Sequence, residues 1–115
     1  MNQREFSKYL ERDNWRCVHC GRQGDDLVPQ HRLNRGAGGK NAKAEQVANV
    51  IVFCSLANGL IESDVDLQQE AYAYNWKLAS WQDPLTEPVF YKFSGEWFLL
   101  DNFYGRSFYK NVNTA

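Results

Sequence analysis

His31 lies in the run Val28-Pro29-Gln30-His31-Arg32, directly ahead of a glycine-rich loop. Cys17-x-x-Cys20 precedes it and Cys54 follows it. The only other histidine, His19, sits inside the Cys-x-x-Cys knuckle. An imidazole titrates near neutral pH, so a histidine framed by such a knuckle reads as a general base placed beside a metal. The three cysteines are an odd number, and a Cys-x-x-Cys loop is too short to act as a stabilising staple. Free or metal-bound thiols in a reducing compartment fit better than a disulfide scaffold. Arg32, Arg35, Lys40 and Lys43 follow His31 closely. They form a modest basic patch of the kind that meets a phosphate backbone, with an ordinary solvated loop as the competing reading.

These residues need elements to hold them. A chain of 115 residues is one domain, and 43% hydrophobic with 23% charged residues is ordinary for a soluble globular protein. No apolar run approaches the roughly 20 residues that span a membrane. Met-Asn-Gln-Arg-Glu-Phe carries no stretch of signal-peptide type, so a cytoplasmic protein is expected. The net charge of −1 hides an asymmetry: residues 1–46 carry nine Lys/Arg and six Asp/Glu, whereas residues 47–115 carry four and eight.

Phe6, Tyr9 and Leu10 at helical spacing predict a helix over 3–12, ended by Asp13-Asn14. Trp15 to Gly21 reads as a knuckle turn, with glycine supplying the positive φ. Leu27–Leu33 reads as a strand carrying His31, Asn34–Gln46 as a loop and Val47–Cys54 as a second strand. A short helix is expected near Ala57–Glu62. Another, capped by Ser63 or Asp64, should run to about Asn75. Pro84–Pro88 reads as a turn or linker. Val89–Phe93 and Glu96–Leu100 form a hairpin around Ser94-Gly95, with a further short strand after Gly105. Thirteen of the 17 aromatics lie from Tyr72 onward, and a row of aromatics on short strands is usually core. A stacking surface for bases or a partner is the minor reading.

Four segments together resemble a known family: Cys17-x-x-Cys20-Gly21; Gln30-His31-Arg32 with Arg35-Gly36-Ala37-Gly38-Gly39; Ala48-Asn49-Val50-Ile51; and Cys54 to Ser63. The chain resembles an HNH endonuclease of the small phage-encoded type, in the His-Me finger (ββα-metal) superfamily. The resemblance covers about residues 10–110 and is most specific over 15–63. It implies a single α+β domain over 1–115. A ββα-metal core at about 15–75 would follow an N-terminal helix and precede a C-terminal aromatic β-hairpin region over 76–115. It implies DNA as the partner and phosphodiester hydrolysis as the reaction, in a bacterial host's cytoplasm. It makes His31 the general base and Asn49 the residue that orders the loop and steadies His31. Asn58, with residue 30, would ligate a divalent metal (Mg, Mn or Ni). Taken alone, Asn49 is an ordinary turn residue and Asn58 an N-cap or helix-start residue.

The chain departs from that pattern twice. Gln30 stands where the family usually has Asp or His, and an amide brings no negative charge to a hard cation. Glu62, about one turn on from Asn58, is the nearest carboxylate in sequence. Ala57 stands where a fourth cysteine is expected, leaving Cys17, Cys20 and Cys54 as a candidate zinc site lacking one ligand, with His19 facing the wrong way for an ordinary knuckle. These departures keep a second function class open. It is a catalytically weak HNH scaffold that binds DNA or inhibits a host protein, with the acidic, aromatic second half as its surface. A zinc-finger base reader fits less well, because Asn58–Glu62 lacks basic residues.

Overall fold

The computed structural model describes residues 1–34 and 42–110. Helix α1 spans Gln3–Arg12, and the Asn2 side-chain oxygen Oδ1 accepts the Glu5 N–H at 2.8 Å, capping its first turn. Strand β1 (Leu27–His31) runs antiparallel to β2 (Val50–Cys54), with Gln30 opposite Ile51 and His31 opposite Val50. Every residue of β2 is buried, which is why it reads as a continuous apolar run. Helix α2 (Ser55–Leu60) follows without a gap, and α3 (Val65–Ala73) is capped by Asp64, whose carboxylate accepts the Leu67 N–H at 3.0 Å. Strands β3 (Val89–Tyr91), β4 (Glu96–Leu100) and β5 (Arg106–Phe108) form an antiparallel sheet in that order. The fold is α+β, with three helices and two small antiparallel sheets among the described residues.

Several element boundaries differ from expectation: β1 ends at His31 and not Leu33, α3 at Ala73 and not about Asn75, and β3 at Tyr91 and not Phe93. Val47–Asn49 form a short 3₁₀ turn, and the second strand starts only at Val50, because the Asn49 side chain is committed to the loop ends described below. Helix α2 begins before Ala57, because Cys54 is its N-cap: Cys54 Sγ accepts the Ala57 N–H at 3.5 Å. Asn58 therefore lies inside the helix, not at its cap.

One apolar cluster joins both sheets. Phe6, Tyr9 and Leu10 from α1 meet Ile51, Val52 and Phe53 from β2, and Val89, Tyr91, Phe98 and Leu100 from the second sheet. The late aromatics divide: Trp76 and Tyr91 are fully buried, whereas Trp81 and Phe103 are 82% and 89% exposed. Under this core runs a polar network. The Arg12 guanidinium pairs with Asp13 at 2.8 Å and donates to the Val50 carbonyl at 2.7 Å. Asp13 accepts the Tyr91 hydroxyl at 2.5 Å and the Val52 N–H at 3.1 Å. A buried carboxylate needs such partners, since an unpaired one costs several kcal/mol. Among the described residues no helix is long and apolar enough to cross a membrane.

Candidate functional site

Gln30 and His31 end β1, and antiparallel pairing sets them beside the start of β2. Successive strand residues face opposite ways. The Gln30 side chain is buried, and its carbonyl oxygen accepts the Asn58 side-chain N–H at 2.8 Å. The Gln30 amide nitrogen donates to the His31 carbonyl at 3.0 Å and to the Trp76 carbonyl at 3.4 Å. Two residues expected as metal ligands are thus brought into direct contact as a neutral amide pair. Glu62 does not join them, because its carboxylate pairs with Lys77 at 2.7 Å.

His31 is half-buried and lines two adjoining clefts. One, of about 460 Å³, is bounded by Met1, Pro29 and Asn34. The other, of about 200 Å³, is bounded by Glu5 and Tyr9 of α1 and by Glu45, Gln46 and Val50. Burial, with Tyr104 and Glu5 nearby, pushes the Tyr9 phenol up to about 12. The imidazole thus borders space open enough for a substrate, with two carboxylates on the same wall.

Asn49 is fully buried and works as a staple. Its carbonyl oxygen accepts the Leu33 N–H at 2.7 Å, and its amide donates to the Leu33 and Ala44 carbonyls, each at 3.0 Å. The Asn49 backbone carbonyl accepts the Arg32 N–H at 2.8 Å. The two ends of the loop that follows His31 are therefore fixed to one side chain.

The basic patch needs a correction. Arg32 is 1% exposed, and its guanidinium donates to the backbone carbonyls of Ala48, Asn75, Pro84, Glu87 and Pro88 at 2.7–3.5 Å. It has no face left for a phosphate. Burial lowers its pKa to about 9. Lys43 donates to the Ser80 carbonyl at 3.0 Å. Arg35, Lys40 and the glycines Gly36, Gly38 and Gly39 lie outside the described residues.

The thiols of Cys17, Cys20 and Cys54 lie within 4.8 Å of one another, with Cys20 and Cys54 sulfurs 4.0 Å apart. Three thiols so placed can bind a metal such as zinc. Gly21 makes the knuckle possible: its φ is +76°, and a Cβ there would lie 2.7 Å from the Phe93 Cβ. Burial and the neighbouring thiols push the Cys17 thiol up to about 12 without metal. His19 turns away, its Nε2 3.3 Å from the Glu70 carboxylate and its ring edge-on to Trp76. Burial lowers its pKa, partly offset by Glu70.

No family model, no curated protein and no solved structure matches the chain. The buried Arg12–Asp13–Tyr91 network and the Arg32 hub were missed by sequence reasoning. Each includes partners more than 30 positions away, among them Val50, Tyr91 and Asn75.

Proposed function

We propose that the chain is an HNH-type, metal-dependent DNA endonuclease on a ββα-metal core, with His31 as general base. The observation that carries the reading is the meeting of Gln30 with Asn58 one residue from His31, while Asn49 holds the adjacent loop ends. An imidazole nitrogen of His31 takes the proton from a water that attacks phosphorus. The P–O bond to the leaving 3′-oxygen breaks in line. Asn49 fixes the backbone that follows His31 and so limits the wander of the base. The side-chain oxygens of Gln30 and Asn58 would hold the divalent ion, which when bound polarises the phosphate and steadies the leaving oxygen. Their donor set is neutral, so it fits a cation that draws its anionic oxygens from the substrate phosphate.

A second reading has its own observation. The Gln30–Asn58 bond saturates one amide oxygen, and Glu62 is tied to Lys77, which favours a scaffold that binds DNA or a host protein without cutting. Supercoiled plasmid incubated with the protein and Mg²⁺, Mn²⁺ or Ni²⁺ separates the two. The nuclease reading expects nicking that the His31→Ala variant loses. Cleavage absent with every metal, or equal in the variant, overturns it. Capture of a bacterial protein by the uncleaving chain would then support the second reading.

A further inference from the structure

Among the described residues the thiol cluster has three protein donors and no fourth His, Cys, Asp or Glu. Ala57 is placed beside it by the bond from its N–H to Cys54 Sγ at 3.5 Å, yet a methyl group offers no lone pair. The Asp26 carboxylate, which follows the knuckle, is held by Arg22 at 3.0 Å. The spacing is nonetheless suited to a metal. Zn–S bonds of about 2.3 Å at tetrahedral angles put sulfurs about 3.8 Å apart, close to the 4.0 Å between Cys20 and Cys54. The cluster is sealed on one side and open on the other: Cys17 and Cys54 are buried, and Cys20 is exposed.

We propose that this is a three-thiolate metal site with an exchangeable fourth ligand, completed by a small thiol from solution. Zinc in a protein scaffold prefers a closed four-coordinate shell, and soft sulfur donors suit it. The incoming thiol gives up its proton to solvent as its sulfur binds the metal, so the step needs no oxidant. The site then behaves as a receptor for thiols and not only as a structural staple. The inference rests on the cysteine cluster and is independent of the nuclease reading.

The test uses the full chain loaded with Co²⁺ under a phosphine reductant, and its readout is the visible spectrum, not cleavage. Addition of 2-mercaptoethanol should shift the cobalt d–d bands saturably in the wild-type protein. Native mass spectrometry of the zinc form should retain one thiol adduct. Ala57→Cys should give a thiol-insensitive spectrum and slow zinc loss to a chelator on the order of tenfold. A wild-type spectrum that thiol does not move overturns the proposal, as does an equal response in Ala57→Cys or failure to take up one equivalent of cobalt. Should Ala57→Cys not fold, Cys20→Ser on the exposed rim serves instead. It must abolish the thiol response, and a retained response overturns the proposal.

Discussion

The Asn58 amide donates to the Gln30 carbonyl oxygen over 2.8 Å, joining the first strand to the second helix across 28 positions of sequence. The pair is neutral on both sides, so on the nuclease reading it brings no negative charge to a hard cation. Gln30→Asp should tighten Mn²⁺ binding on the order of tenfold, because ligand charge count tunes affinity for hard cations. The same variant should melt earlier in chelator and recover with Mn²⁺, since a buried carboxylate then lacks its partner. Titration calorimetry and melting curves read both. If neither changes, residue 30 is not at a ligand position.

Asn49 satisfies Leu33 at both backbone groups and Ala44 at one. Asn49→Ala leaves those groups buried without partners, at about 3 kcal/mol or more in total. Urea denaturation should show that loss. A stability within about 0.5 kcal/mol of wild type, inside the ordinary spread for surface changes, would contradict the staple.

Arg32 holds five carbonyls from four segments of chain. Arg32→Met should cost about 3–5 kcal/mol, because several buried carbonyls lose their donor. Arg32→Lys should also destabilise, because an ammonium cannot reproduce the planar fork. On the nuclease reading, neither should weaken DNA binding by the fraction that remains folded. An Arg32→Lys protein of wild-type stability that fails to bind DNA would restore the phosphate-facing role.

Tyr9 is pushed up to about 12, and Tyr91 is raised as well, by burial and by the Asp13 carboxylate. The folded state therefore retains these protons above the ordinary tyrosine value of about 10. The stability they support is complete below pH 10 and is lost as pH rises beyond it. Ultraviolet titration should find two of the six tyrosines ionising late. Tyr91→Phe should remove one late transition and cost about 2 kcal/mol, the range for a hydrogen bond to a charged group. Six tyrosines titrating together would refute the buried network.

Much of the scaffold was legible because its signals are local. Phe6, Tyr9 and Leu10 mark α1 to the residue, and Asp64 announces α3 as an ordinary N-cap. Ser94-Gly95 marks the turn of the β3–β4 hairpin, and Gly95 has a φ of +71°. The start of α2 was harder, since cysteine is not among the usual capping residues, yet Cys54 caps it. Arg32 misled because charge predicts exposure unless the converging carbonyls are known, and those come from Ala48, Asn75, Pro84, Glu87 and Pro88. Asp13 reads in sequence as a helix terminator, and only tertiary contact turns it into the acceptor for Tyr91. At the site, the family resemblance implied that residues 30 and 58 share a metal, and their side chains meet in a direct hydrogen bond; the cysteine spacing pointed to a shared thiol cluster, and the three thiols do lie together. It did not show that Glu62 is committed to Lys77.

The Asn49 clamp has a further consequence for the path of the chain. Leu33 and Ala44, eleven positions apart, are gripped by one side chain. One buried amide thus fixes where the chain leaves the strand that carries His31 and where it returns, so His31 keeps its seat through Asn49.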